Sequence, residues 1–347
     1  MDTPGSAGTP PATATAPLAL ERTLMNDTST AAPATMRAIT AAGWGGPEVL
    51  TETRVARPEP GPTEILVRVH AAGLNPVDWK SRATGGFGGW AEQPVLGWDV
   101  SGVVEAVGLG VTLYAPGDEV FGMPRFPGQA GAYAEYVTGP ARHFARKPAT
   151  LDHVRAAALP LAGLTAWQSL VGTAELRAGQ RVLVHAAAGG VGHLAVQIAK
   201  ARGAYVIGTA SAAKHDFLRT LGVDEPIDYT AADFAETVRD VDVVLDCYGG
   251  DDYGTRSLAV LREGGTLVTL PSPDAVPAAE RGIRTGFTLV EPDYAGLLGL
   301  AELVETGRLR PEVETVLPLE EVAKAHRLGE SGRTRGKIVL TVRDADA

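Results

Sequence analysis

The sequence is poor in cysteine and has no long apolar run. Its 347 residues include a single cysteine, Cys247, which cannot form a disulfide within the chain and leaves no cysteine cluster for structural zinc. No apolar run approaches the roughly 18 residues that a membrane-spanning helix needs. This composition points neither to an oxidising compartment nor to a membrane, and we expect a cytoplasmic protein.

Positive charge is also scarce. Lys and Arg number 31 against 41 Asp and Glu, and the resulting net charge of -10 argues against nucleic acid as the main partner. The seven histidines are scattered, without a pair at the helical spacing of metal ligands. For His185 and His193, we expect local hydrogen bonding or packing rather than catalysis. The chain is long enough for about two domains.

The first 35 residues are rich in Ala, Thr and Pro. Their one apolar patch, residues 17–20, has no basic segment before it, so the pattern is not typical of a signal peptide. We expect a disordered tail over residues 1–35. Met25 and Met36 are alternative candidates for the natural translation start.

The pattern of apolar residues changes along the chain. From about Thr63 to Gly122, short alternating segments separated by glycines predict a β-rich, barrel-like domain. After about Leu151, helices alternate with apolar strands, which is typical of βαβ units and a parallel sheet. We expect strands at 181–185, 205–209, 241–246 and 266–270, and helices at 192–202 and 212–221. Residues 335–342 form a further predicted strand, which we expect to return to the β-rich domain.

The run VLVHAAAGGVG, residues 182–192, predicts a dinucleotide site. A strand leads into Ala187-x-Gly189-x-x-Gly192, and an amphipathic helix follows. Gly189 would let the backbone approach a pyrophosphate, and Gly192 would let helix and strand pack closely. Alanine suits the first position if its φ stays negative. The alternative is a tight strand-to-helix turn without a ligand.

The end of the next strand indicates which dinucleotide is bound. NAD sites place an acidic residue there for the ribose hydroxyl, whereas this chain has Ser211 and Lys214. A hydroxyl and an ammonium suit a 2′-phosphate, which favours NADPH. Asp216 is the acidic alternative, but it falls inside the following helix. For Lys214 alone, a solvated helix face is the alternative.

Three motifs carry a family resemblance. They are the glycine turn, LPLAGLTA at 159–166 and RGKIVL at 335–340. Over residues 36–345 the chain resembles the medium-chain dehydrogenase/reductase superfamily, most closely its zinc-free quinone oxidoreductase branch, which includes zeta-crystallin. The resemblance implies an α/β fold with a GroES-like catalytic domain, 36–150 and 291–347, and a Rossmann domain, 151–290. It also implies a homodimer.

The residues at the zinc-ligand positions of the zinc-dependent relatives are not metal ligands here. Those positions correspond to Asn75, Trp98 and Leu161 or Ala162, so no thiolate or imidazole remains. We therefore expect no catalytic metal.

The resemblance also implies the cofactor contacts. The implied residues are Thr165, Gly189, Gly190, Val191, Gly192, Ser211, Lys214, Tyr229, Leu270 and Lys337. The loops 247–250 and 270–272 should edge the cofactor, while core packing is an alternative for Tyr229.

Without a metal, hydride transfer needs an acceptor that is already electrophilic, such as a quinone or an α,β-unsaturated carbonyl. We expect its pocket between the domains, with Asn75 bonded to the carbonyl and Lys80 or Tyr133 stabilising charge or relaying a proton. The expected walls are Asp78, Trp79, Phe87, Trp90 and Trp98. Loop capping by Asn75 and ordinary packing of the tryptophans are the alternatives, and residues 85–90 should form a mobile flap or a loose loop.

These features predict an NADPH-dependent reductase of a small electrophilic acceptor. An enoyl-thioester reductase or a tailoring reductase of a biosynthetic pathway would use the same site on a larger acceptor. An NADP-binding sensor or structural protein with little catalysis is the alternative of another class.

Overall fold

The computed structural model describes Met1 and residues 34–88, 90–250 and 252–343. Nearly all of the predicted tail, 1–35, and the candidate start Met25 lie outside the described residues, as does Gly89 of the predicted flap. The described residues from Ala34 onward belong to one compact unit. None of the helices in these described ranges is long and apolar enough to cross a membrane.

The first half of the unit is mostly antiparallel strands. They are β1 (Thr35–Ala41), β2 (Leu50–Ala56), β3 (Glu64–Gly73), β4 (Asp99–Val107), β5 (Glu119–Gly122), β6 (Tyr136–Pro140) and β7 (Phe144–Arg146). Its helices are α1 (Pro76–Thr84), α2 (His153–Ala157) and α3 (Pro160–Trp167). Helix α1 was not predicted, although Asn75 before Pro76 is a typical helix start, with Pro at the first helical position.

The second half alternates strands and helices. The strands are β8 (Arg181–His185), β9 (Tyr205–Ala210), β10 (Glu225–Asp228), β11 (Val241–Asp246), β12 (Leu261–Thr269) and β13 (Arg284–Phe287). The helices are α4 (Gly192–Ala201), α5 (His215–Thr220), α6 (Phe234–Thr237), α7 (Tyr253–Val260), α8 (Tyr294–Glu305) and α9 (Val322–Glu330). Two strands complete the chain: β14 (Val313–Pro318) before α9 and β15 (Lys337–Thr341) after it.

The strands from β8 to β13 form one parallel sheet in the order β10-β9-β8-β11-β12-β13. The strand order reverses between β8 and β11, and such a reversal opens a crevice at the carboxyl ends of the strands. The predicted strands 181–185 and 241–246 coincide with β8 and β11. Strands β10 and β13 were missed because each has four residues and contains a proline or a glycine.

Strands β1 and β2 form a separate two-stranded sheet, and a third sheet joins residues from both ends of the unit. Its order is β14-β15-β3-β4-β5-β7, and β6 also pairs with β3. Strand β15 pairs antiparallel with β3, so Lys337 begins a strand next to the segment that leads into α1. The predicted fold class, a GroES-like β-rich part combined with a doubly wound parallel sheet, is confirmed.

A continuous apolar core connects the two larger sheets. Trp98, just before β4, and Phe121 of β5 belong to the same buried cluster as Leu164 of α3 and Val184 and Val268 of the parallel sheet. The cleft described below lies where these two parts meet.

Candidate active site

The turn between β8 and α4 has its strained residue at Ala186. Ala186 adopts a left-handed φ of 49°, whereas Ala187 and the glycines at 189, 190 and 192 do not have positive φ. A Cβ on Gly192 would lie 2.3 Å from the carbonyl oxygen of Ala186, so only glycine fits there. Gly192 therefore holds the helix against the turn, as the sequence predicts.

Ala187 is accommodated by a glycine on the neighbouring strand. Ala187 is fully buried, and a Cβ added to Gly208 of β9 would lie 2.9 Å from its methyl group. The absence of a side chain at Gly208 makes room for the methyl group of Ala187. The alanine in the fingerprint is thus matched by a glycine 21 residues later.

The turn leaves backbone donors available at the start of α4. Gly190 and Val191 precede the helix, and no hydrogen bond between described residues uses their N–H groups. Both residues line a cavity of about 300 Å³. Free N–H groups at a helix start are suited to a phosphate, so this turn, residues 186–192, fits a pyrophosphate. We name it the phosphate turn.

A smaller cavity of about 170 Å³ adjoins the first and shares Gly189 and Tyr248 with it. The structure brings Ser211, Lys214 and Tyr229 together in its wall, and no acidic residue is among its described lining residues. Tyr229 is 54% exposed, so it is not a core residue.

Lys214 spans this small cavity to the loop before β15. Its Nζ donates to the carbonyl oxygens of Arg333 and Thr334 at 2.8 and 3.3 Å, and partial burial lowers its pKa. Asp216, the acidic alternative, is instead exposed and paired with Arg219 at 2.7 Å. Lys214 is therefore placed at the cleft, whereas Asp216 is not among its lining residues.

A buried polar network underlies the cavity of about 300 Å³. Lys337 Nζ donates to Asn75 Oδ1 at 2.5 Å, to the Leu74 carbonyl at 2.7 Å and to Asp99 Oδ2 at 3.3 Å. The Asn75 amide donates to Asp99 at 2.9 Å, and the Leu161 N–H donates to the other oxygen of Asp99 at 2.7 Å. Burial raises the pKa of Asp99, against the opposing effect of the Lys337 ammonium.

This network joins four segments of the chain: the start of β15, the start of α1, the start of β4 and α3. The Lys337 side chain also lies beside the phosphate turn, since a Cβ on Gly190 would be 3.4 Å from Lys337 Cδ. Asn75 and Lys337 both line the cleft, but the Nζ of Lys337 is bonded to protein groups. Asp99 was not predicted from the sequence, where its signal is a carboxylate at the first position of β4.

Two other predicted residues lie below the cleft rather than in its wall. Asp78 and Tyr133 are fully buried, and neither is a lining residue of the cavities described here. Asp78 accepts the Asn75 backbone N–H at 2.6 Å, and burial raises its pKa to about 7. The pKa of Tyr133 is also raised by burial and by the Asp78 charge. The structure does not bring Tyr133 to the acceptor site.

The third cavity, about 530 Å³, lies beyond the phosphate turn. It shares Leu161, Val191 and Cys247 with the cavity of about 300 Å³, which is therefore the middle cavity of the three. We name the third cavity the acceptor cavity. The predicted residues Lys80, Phe87, Thr165 and Leu270 line it. Lys80 is exposed, and its Nζ donates to none of the described residues.

The tryptophans take different places. Trp79 lines the middle cavity and packs against Gly329 of α9. Trp98 is buried, with its indole N–H donated to the Gly128 carbonyl at 2.8 Å, and Trp90 packs edge-on against it at 5.6 Å between ring centres. Trp90 and Trp98 therefore support the acceptor cavity from behind and do not line it.

Other wall residues were not singled out from the sequence. They include Phe126, Tyr248, Phe287 and Leu289. Tyr248 falls in the predicted loop 247–250, so its position was available. Phe287 and Leu289 could not be found, because β13 itself was not predicted.

The two histidines beside the turn have structural partners. His193 Nδ1 bonds the Gly189 carbonyl at 2.9 Å, and its Nε2 accepts the Glu312 N–H at 3.1 Å. His185 contacts Ser257 and Thr209. Burial lowers the pKa of His193 to about 4 and that of His185 to about 3, so both are neutral at physiological pH. Among the described residues, no group of three or more His, Cys, Asp or Glu could hold a metal ion.

Known proteins match this arrangement over most of the chain. Residues 61–149 match the alcohol dehydrogenase GroES-like domain, and residues 221–340 match the zinc-binding dehydrogenase family. The chain is 35% identical over 329 residues to the mitochondrial NAD(P)H oxidoreductase RTN4IP1 of Mus musculus, covering 81% of this chain and 82% of the relative. It is 37% identical over 322 residues to the chloroplastic NADPH-dependent alkenal/one oxidoreductase of Arabidopsis thaliana, covering 89% and 80%.

A solved structure agrees with the fold as well. The quinone oxidoreductase from Coxiella burnetii superposes with a TM-score of 0.82 at 38% identity, covering 89% of this chain and all of that one.

Proposed function

Because the chain belongs to the quinone oxidoreductase branch of the medium-chain dehydrogenase/reductase superfamily, we propose that it reduces quinones or α,β-unsaturated carbonyls with NADPH and without catalytic zinc. The observation that carries the proposal is one cleft with two unlike ends. Free N–H groups and a cationic cavity lie at one end, and a wide, largely apolar cavity lies at the other.

The preference for NADPH rests on the small cavity. Ser211, Lys214 and Tyr229 offer two hydroxyls and an ammonium there, and a 2′-phosphate would meet no carboxylate among the described lining residues. Lys214 would exchange its bonds to the loop carbonyls of Arg333 and Thr334 for bonds to the phosphate. When bound, the cofactor supplies the hydride.

The substitution Lys214→Ala tests this preference. We expect the affinity for NADPH to fall about tenfold to a hundredfold, because one charge-assisted hydrogen bond is lost. The affinity for NADH should stay within about twofold of its original value. Isothermal titration with both cofactors measures the two values. Arg219→Ala, which removes a nearby exposed cation outside the cleft, is the matched control. Equal losses for NADH and NADPH would refute the assignment of the 2′-phosphate.

Zinc independence rests on residue chemistry. Asn75 is bonded to Lys337 and Asp99, Trp98 is bonded to Gly128, and Leu161 has an apolar side chain. None of these side chains offers the imidazole or thiolate of the relatives' zinc site. A reductase without a Lewis acid needs an acceptor whose own carbonyl activates the carbon that receives the hydride.

The chain's residues contribute position and a local charge. Lys80 stabilises the negative charge that develops on the acceptor oxygen, because it is the unpaired cation among the described lining residues of the acceptor cavity. Asn75 is held by Lys337 and Asp99, so its remaining amide N–H has a fixed direction. Tyr133 has no part in this proposal, since it is buried below the cleft.

The activity is tested by the loss of nicotinamide absorbance with a panel of quinones and enals, in protein analysed for bound metal. We expect turnover of several acceptors by protein without stoichiometric zinc. Tight NADPH binding with no turnover of any acceptor would support a sensor role instead. Turnover that is lost on treatment with a chelator would refute zinc independence.

We also propose that the enzyme is a cytoplasmic homodimer. The family resemblance supports the dimer, and the single cysteine suits a reducing compartment. Light scattering during size-exclusion chromatography measures the assembly, and fractionation of source cells measures the location. A monomeric mass, or recovery in an organelle, would overturn the respective part.

A further inference from the structure

The acceptor cavity has mostly apolar walls. Its aromatic walls are Phe87, Phe126, Tyr248 and Phe287, and valine, leucine and proline side chains supply much of the remainder. Lys80 is the one charged residue among the described lining residues. Such walls offer few hydrogen bonds to a small polar acceptor, so binding free energy here comes chiefly from buried apolar surface.

Two large apolar side chains of this cavity remain in contact with water. Phe87 is 52% exposed and Leu289 is 49% exposed. Phe87 stands edge-on to Phe126, with 5.7 Å between ring centres, and Leu289 follows Phe287 just after the edge strand β13. Exposed apolar groups that border an open cavity are typical of a surface that a ligand covers.

The path continues beyond Leu289. Phe287, Thr288 and Leu289 also line a neighbouring depression of about 400 Å³, whose opposite wall includes Trp167 and the π-helical turn Gln168–Thr173. The apolar surface therefore extends from Val191 at the phosphate turn to Leu289, beyond which Glu291 and Asp293 make the neighbouring depression more polar. The combined shape is long, since the two depressions share only this short segment of chain.

Building on the proposed function, we propose that the acceptor is an electrophilic carbonyl compound with an extended apolar chain. The carbonyl end lies near Lys80 and Thr165, and the chain runs along Phe126 and Phe87 to Leu289. Leu289 determines specificity for chain length, because it lies where the acceptor cavity meets the neighbouring depression. A short acceptor would leave Phe87 and Leu289 exposed.

The experiment measures kcat/KM with NADPH for unbranched 2-alkenals of increasing length, beginning with the four-carbon aldehyde. We expect kcat/KM to rise about twofold to fourfold for each added methylene until the chain passes Leu289. The Leu289→Gln enzyme should lose this gain for the longer members of the series. Leu298→Gln is the matched control, because Leu298 is 45% exposed on α8 and lines none of these cavities. In this variant the slope, the rise of kcat/KM per added methylene, should equal that of the original enzyme.

Two further measurements keep the outcome decisive. Phe87→Ser, at an exposed position, should reduce the gain at shorter chain lengths, and it stands in if Leu289→Gln does not fold or changes the oligomeric mass. Titration of saturated aldehydes into the NADPH complex should show affinity that rises with chain length, even if no alkenal is turned over. Absence of turnover with every quinone and alkenal would overturn the proposed function alone. Turnover or binding that does not depend on chain length, or a Leu289→Gln slope equal to that of the control, would overturn this inference.

Discussion

The two ends of the cleft are built from different parts of the polypeptide. At the cofactor end, the backbone of the phosphate turn provides the donors, and buried groups such as Lys337, Asp99 and His193 hold it in place. At the acceptor end, the walls are side chains, and Phe87 and Leu289 are half exposed. The cofactor end therefore depends on backbone and charge, whereas the acceptor end depends on apolar side chains that can be substituted without disturbing buried groups.

The largest effect should come from removing the buried cation. Lys337→Met leaves the Asp99 carboxylate buried without its counter-charge, which should lower the free energy of unfolding by about 3–5 kcal/mol. Urea denaturation measures the change. The double variant Lys337→Met/Asp99→Asn, which removes both charges, should recover a large part of it. A double variant as unstable as the single one would show that lost packing, and not the unpaired charge, causes the effect.

A methyl group at the phosphate turn should come next. In Gly192→Ala the new Cβ must displace the Ala186 carbonyl or the helix, so we expect a loss of about 2–3 kcal/mol in stability together with weaker NADPH binding. Thermal unfolding and isothermal titration provide the two values. Gly43→Ala is the control, because no neighbouring atom lies within 4 Å of a Cβ there. A Gly192→Ala protein that binds NADPH normally would contradict the close packing.

Acid should affect the cofactor end through His193. Its folded-state pKa of about 4 lies below its ordinary value of 6.5, so between these pH values the unfolded chain binds the proton that the folded protein excludes. Stability should therefore fall as the pH falls, by about 1.4 kcal/mol per pH unit from this residue, or about 2 kcal/mol at pH 5.

The variant His193→Gln isolates this contribution, since other groups also titrate. Burial, for example, raises the pKa of Asp78 to about 7, and its contribution to stability has the opposite pH dependence. Through Asp78 the protein loses stability as the pH rises from 3.8 to 7. The difference in unfolding free energy between the original and His193→Gln proteins should narrow as the pH falls from 6.5 to 4. A constant difference would mean that His193 is already charged in the folded protein.

The smallest effect should be at the acceptor end. Phe87→Leu should change the free energy of unfolding by no more than about 0.5 kcal/mol and leave NADPH affinity unaltered, because Phe87 is half exposed and lies outside the buried network. Thermal unfolding and titration test this. A loss as large as that of Gly192→Ala would remove the contrast between the two ends.

Sequence patterns were most informative where short-range geometry decides the structure. The glycine turn, Ser211 and Lys214 follow strands whose apolar residues are unmistakable, so their positions at one edge of a parallel sheet could be predicted. The positions of Phe287 and Leu289 could not be predicted, because β13 has only four residues, and these include a charged residue and a glycine. Asp99 and Lys337 are 238 residues apart, and their pairing depends on the return of β15 to β3.

The family, the two-part fold and the phosphate turn could be predicted from sequence alone, because they depend on local periodicity and on glycines that backbone geometry requires. Which side chains reach the cleft depends on the tertiary structure. It placed Lys80 and Phe87 in the acceptor cavity, buried Tyr133 below it and showed Lys337 bonded to Asn75 and Asp99. The physical reason is that the burial and pairing of a polar side chain depend on segments far away in the chain, and no local pattern encodes them.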